Sequence, residues 1–367
     1  MNAFRWRLGM GFACFLAVVP GLAATGGEPP ANPVDRLNAS QMQEAFRLLQ
    51  RHFVQPEKLS DEELNRAALH GLFARLQQGA ALLDRSSDSN GNQDAAVTPL
   101  TSELLTPKVA YLRPGNFSPE ELPQMDAALG ELAKSTAETL LLDLRSPAPD
   151  GDFRMAQQIL SRFLPEGEAL FEIHRPGGTI PQRMTAEGTP LWTKSVLLLV
   201  DSETTNVAEA VAVVLKSKLK SFVIGSKTRG LAVQFKEFAL GNDLALRLAD
   251  AEIRATSGTD LFGSGLMPDV PAPFDPQEKC RIFTAAAKEG MQPFVLEAER
   301  PRMNEAALVA GSNPELTNQI AKSAGQKTAW DQPLPRERVV QQALDFLETN
   351  QFLKELDAPE IRRAKRK

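Results

Sequence analysis

Apolar residues return along this chain in two rhythms. Met42, Phe46, Leu49 and Phe53, and then Leu64, Ala68, Leu72 and Leu76, recur every three or four positions, the spacing of one face of an α-helix. Ser40 with Gln43 and Ser60 with Glu63 supply start signals for two helices, and Pro56 stops the first. The two are expected to pack together. From Lys108 short apolar runs alternate with helical stretches: KVAYLR, Thr139 to Leu144, ALFEI at 169–173, SVLLLV at 195–200 and SFVIG at 221–225 are strands, and 119–134, 153–163 and 205–218 are helices. Strands separated by helices predict βαβ units. Leu140-Leu141-Leu142 and Val196 to Val200 have no polar alternate, so both faces of these strands should be covered. Residues 231–254 predict a hairpin turning at Gly241-Asn242, 335–356 an amphipathic helix, and 361–367 a basic tail. Between the two textures, Arg85 to Thr98 is polar and rich in Ser, Asp, Asn and Gly, the composition of a linker.

Composition narrows the function. The 367 residues carry 41 Lys+Arg against 46 Asp+Glu, a formal charge of −5, so there is no basic excess to hold a nucleic-acid backbone. Met1 to Ala24 holds Arg5 and Arg7, no acid, an apolar run from Leu8 to Leu22 and small residues at its end, the pattern of a secretory signal peptide. An exported protein is expected, periplasmic or extracellular, with no stable membrane span once the signal is removed; retention of the signal as an anchor is the alternative. The two cysteines, Cys14 and Cys280, cannot build a disulfide framework. His52, His70 and His174 fall in separate segments, so no metal site and no cofactor is expected.

Four segments, in this order, resemble the tail-specific or C-terminal processing peptidases. These are FRLLQRHFVQPEKLSDEELNRAALHGLFARL at 46–76, YLRPGNFS followed by LLLDLRS within 111–146, VDSETTNVAEAVAVVLKSKLKSFVIGSKTRG at 200–230 and GSGLMPDV at 263–270. The resemblance implies an α/β fold with a crotonase/ClpP-like βαβ core, an N-terminal helical pair and a C-terminal helix. It divides the chain into a signal peptide (1–24), an N-terminal helical region (25–86), a polar linker (87–106) where the family inserts a peptide-binding PDZ module, a peptidase-like core (107–275) and a C-terminal helical region with a basic tail (276–367).

The resemblance also implies a serine nucleophile, a lysine general base and backbone N–H groups for the oxyanion. Aligned on Glu209 and Gly225, the family's nucleophile falls on Asn206, with Thr204 and Ala208 at the flanking serines, and its base falls on Leu231. A carboxamide does not attack a peptide carbonyl, and leucine accepts no proton. The turn that carries a Gly-Gly pair in the family reads Ser146 to Gly151 here, with Pro149, which has no N–H, and Asp150 in it. Ser202, Thr204 or Thr205 with Lys227 form the displaced alternative for nucleophile and base. Asn206 also suits a helix N-cap. The sequence thus predicts a non-cleaving peptidase relative that binds a polypeptide or protein partner. The alternatives are an active serine-type endopeptidase using the displaced residues, and a structural scaffold.

Overall fold

The computed structural model describes residues 33–86, 99–146, 153–256, 258, 261–296, 313, 316, 319–320, 323–325 and 335–356, with side chains omitted at Asp35, Pro56, Gln77 and 351–356. The expected signal peptide, most of the polar linker, Pro149, Asp150 and the basic tail lie outside the described residues. Two compact units divide at Leu72 and Phe73.

In the first unit, α1 (Ala39–His52) begins two residues earlier than the Ser40 signal predicts. Asn38 is its N-cap, and the reciprocal box forms with Gln41 rather than between Ser40 and Gln43. Asn38 stands outside the helix, where its side chain reaches the Gln41 N–H at 2.9 Å. Ser60 acts as expected, accepting from the Glu63 N–H at 3.3 Å at the start of α2 (Asp61–Leu76). The expected packing of the pair is not what the structure shows: neither helix buries a residue, and Gln50 joins the segments by donating to the Leu59 carbonyl and the Asp61 carboxylate.

The second unit is built on two sheets. Its strands are β1 (Ala80–Asp84), β2 (Thr101–Thr106), β3 (Val109–Arg113), β4 (Thr139–Asp143), β5 (Ala169–His174), β6 (Gln182–Thr185), β7 (Ser195–Val200), β8 (Val223–Gly225), β9 (Val233–Gly241), β10 (Leu244–Ala255) and β11 (Val270–Pro271). The helices are α3 (Leu122–Lys134), α4 (Phe153–Leu160), α5 (Asn206–Leu219), α6 (Pro276–Glu289), α7 (Gln292–Val295) and α8 (Arg338–Leu356). The six-stranded sheet has the order β11-β8-β7-β4-β3-β2, parallel except for β2. This is the expected mixed α/β class with a βαβ core.

Its central strands are covered on both faces, as the unbroken apolar runs predict. Leu140, Leu142, Leu198 and Val200 join one core with residues of α3, α4 and α5, while Leu141, Leu197 and Leu199 join a second with residues of α6, α7 and α8. Alternate side chains of a strand point to opposite faces, so one run feeds both cores. Two expectations are corrected. Ala80–Asp84, inside the expected helical region, is a strand paired antiparallel with β10, and Thr101–Thr106, inside the expected linker, is a strand paired antiparallel with β3. The hairpin turns at Asn242-Asp243, one residue later than expected; both have positive φ (51° and 59°), the requirement of a tight two-residue connection.

Candidate functional site

The site expected from sequence lies where β7 gives way to α5. Asp201 folds the chain back: its Oδ1 accepts from the Glu203 and Thr204 N–H groups at 2.9 and 3.2 Å. Thr204 is fully buried, accepts from the Asp201 N–H at 3.0 Å and donates to the Leu144 carbonyl at 3.0 Å, so its hydroxyl ties this turn to the end of β4. Thr205, not Asn206, occupies the N-cap position, and its side chain makes no cap hydrogen bond. Asn206 is the first residue of α5, buried, with φ +46°. A positive φ between strand and helix is a strained corner that asparagine tolerates better than most residues.

Glu209, one turn further along α5, brings the next loop to this corner. Its carboxylate accepts from the Thr228 hydroxyl, from the Gly230 N–H at 2.8 Å and from the Leu231 N–H at 2.7 Å. The Arg229 N–H reaches the Thr204 carbonyl at 3.3 Å. Asn206 and Leu231, 25 positions apart in the chain, are therefore carried by a turn and a loop pinned to each other. Desolvation raises the Glu209 pKa and outweighs the hydrogen bonds from Thr228, Gly230, Leu231 and Ala232, which act to lower it.

The glycines of the last motif serve the same loop. A Cβ on Gly265, at φ +64°, would stand 2.5 Å from the Thr228 carbonyl oxygen, so only glycine lets these backbones meet. Leu266 N–H then donates to the Thr228 hydroxyl at 2.7 Å. Asp269 fastens the other end, accepting from the Val223 N–H at 2.9 Å and pairing with Lys216 at 2.7 Å.

Among the described residues no hydrogen bond joins Lys227 to Ser202, Thr204 or Thr205. Ser202 and Lys227 are exposed, and Lys227 has no hydrogen-bond or ion-pair partner among the described residues. Ser146, which precedes the undescribed residues 147–152, is buried, and its hydroxyl has no partner among the described residues. A different lysine, which sequence reasoning missed, stands at the turn: Lys279 of α6 is buried and donates to the Arg145 carbonyl at 2.9 Å, Asp201 at 2.5 Å and Glu203 at 2.6 Å. An ammonium has three N–H donors, and all three are used. Lys279 braces the turn.

Beneath the turn lies a buried ionic cluster, also missed. Arg145 donates to Asp143 through Nε at 2.8 Å and Nη2 at 2.6 Å, and to Glu337 through Nη1 at 3.1 Å, while the Tyr111 hydroxyl donates to Asp143 at 2.8 Å. Glu337 in turn accepts from the Val339 N–H at 3.0 Å and caps the start of α8. Burial alone would raise the Asp143 pKa, but the Arg145 guanidinium, Arg113 and the Tyr111 hydroxyl hold it below the usual aspartate range.

Residues 108–272 match the model of peptidase family S41. Among characterised proteins the chain is similar to the carboxyl-terminal-processing protease of Picosynechococcus sp., 27% identical over 169 residues that make up 46% of this chain and 40% of that protein. The protein of the same name in Synechocystis sp. is 26% identical over 161 residues, 44% of this chain and 37% of its own length. The chain thus matches less than half of each relative. Among solved structures it is similar to a photosystem II D1 C-terminal processing protease, at 22% identity and a TM-score of 0.40, over 50% of this chain and 47% of that one. Over residues 108–272 this chain is thus similar to the S41 peptidases.

Proposed function

We propose that this chain binds polypeptides without cleaving them, as an exported homologue of the C-terminal processing proteases. The observation that carries this reading is the pairing of an intact frame with inert side chains. Glu209, Thr228, Gly230 and Gly265 hold the loop against the corner that opens α5, and the residues held there are Asn206 and Leu231. Hydrolysis needs an oxygen or sulfur nucleophile and a base within about 3 Å of its proton. A carboxamide and an isobutyl group provide neither. Thr204 spends its hydroxyl on Leu144, and Lys279 spends its ammonium on Asp201, Glu203 and Arg145. The family supports a polypeptide as the bound molecule, and among the described residues no helix is long and apolar enough to cross a membrane. The leader read in residues 1–24 supports export.

The test is covalent labelling. Treated with a serine-directed phosphonate and examined by mass spectrometry, the protein is expected to remain unmodified. A stoichiometric adduct on Ser202, Thr204 or Thr205 that disappears in Lys227→Ala would overturn the reading. Export is checked by amino-terminal sequencing of the protein recovered outside the cytoplasm, expected to start near Ala24; a cytoplasmic chain that keeps Met1 would refute it.

A further inference from the structure

The second sheet of the unit is interrupted along one edge of β10. Glu252 pairs with Val233 of β9 on one side and His174 of β5 on the other, while residues 244–248 pair with β9 on the first side and β1 on the second. β1 and β5 therefore share the edge opposite β9. On that edge the pairing stops at Leu248 with Ala80 and resumes at Glu252 with His174. Ala249, Asp250 and Ala251 have no strand partner there among the described residues. A cavity of about 390 Å³ opens at this interruption, lined by those three residues and by His174, Arg175 and Phe262 among others. Asp250 is also the extra residue of a bulge against β9, where Ala249 pairs with Phe235 and Ala251 with Gln234.

Four of the charged side chains around this notch already have partners, while Asp250 has none among the described residues. Arg254 pairs with Glu252 at 2.5 Å, His174 faces Glu172 at 3.4 Å, and Arg175 donates to Gln234 at 3.1 Å. What the notch offers is main chain, with the Asp250 carboxylate beside it. A strand advances about 3.4 Å per residue, so three residues of an extended chain bridge the interruption. The notch also adjoins the site already described. Phe262 lies against Gly79, and the next residue, Gly263, donates its N–H to the Gly230 carbonyl at 2.9 Å, beside Leu231.

We propose that the notch receives a short extended peptide, three residues of which pair with Ala249 to Ala251 and make the sheet continuous from β1 to β5. This rests on the polypeptide-binding reading and names where the strand would be added. Recognition by main-chain groups predicts tolerance of the peptide's side chains, provided its own N–H groups are available.

The experiment is amide hydrogen exchange of the full chain with an acetylated and amidated Ala-Val-Thr-Val-Ala peptide at about 1 mM, a concentration at which weak strand addition registers. Exchange at 249–251 is expected to slow by about tenfold, the order given by one or two new hydrogen bonds. The same peptide N-methylated at its three central residues is expected to give no slowing. Equal protection by both peptides would overturn the main-chain assignment. Protection confined to 204–206 and 228–231 would overturn the notch while leaving polypeptide binding in place. No protection anywhere would overturn both.

Discussion

Asp143, at the end of β4, and Glu209, in the first turn of α5, are both fully buried carboxylates, and burial leaves them in opposite conditions. Asp143 faces a guanidinium, which more than offsets its loss of water and keeps it ionised. Glu209 faces a hydroxyl and backbone N–H groups, which offset only part of that loss, so it takes up a proton more readily than a free glutamate. The contrast separates two tasks. Asp143 helps to hold the layers of the fold together, whereas Glu209 holds a loop in place at an electrostatic cost.

The largest effect is expected from Arg145→Met, which leaves Asp143 and Glu337 buried without their cation. Breaking a buried pair in this way costs about 3–5 kcal/mol, measurable by urea denaturation, and a loss below about 1 kcal/mol would show that the cluster is dispensable. Glu209→Gln is next, at about 2 kcal/mol, because the new amide N–H₂ faces donors instead of accepting from them. Its pH dependence sharpens the contrast. A folded-state pKa above the unfolded one gives stability that is present below the ordinary glutamate range and lost as pH rises through the raised value. The deficit of Glu209→Gln relative to wild type should therefore shrink from acid toward neutral pH. Asp143, with its lowered pKa, acts in the other direction: its contribution is present above the ordinary aspartate range and lost as pH falls through the lowered value. A Glu209→Gln deficit that grows with pH would contradict the difference between the two sites. Tyr111→Phe is the smallest, about 1 kcal/mol for one hydrogen bond to Asp143, and a neutral result would leave that carboxylate to Arg145 and Arg113.

Much of the six-stranded sheet was legible because its strands announce themselves: Leu140 to Leu142 and Val196 to Val200 must be sheltered on both sides, and both cores are there to shelter them. Ala80–Asp84 was not, since AALLD sits close behind a helical run and has no β-branched residue. Thr101–Thr106 was hidden by its polar alternation beside a linker composition. Around the site, the order of the motifs singled out Asn206 and Leu231, and Glu209 between them ties the Leu231 loop to α5. Lys279 and Glu337 were beyond its reach. Lys279 meets Arg145 across 134 positions and Glu337 meets it across 192, so no local pattern relates either to the turn it supports.

The long reach of Glu337 has a consequence for biosynthesis. While the ribosome is still short of that codon, Arg145 has Asp143 as its carboxylate but lacks its second counter-ion, and the face of the sheet that α8 covers is open. The nascent peptidase-like core is thus complete in sequence well before it is complete in charge, and its closure waits for α8.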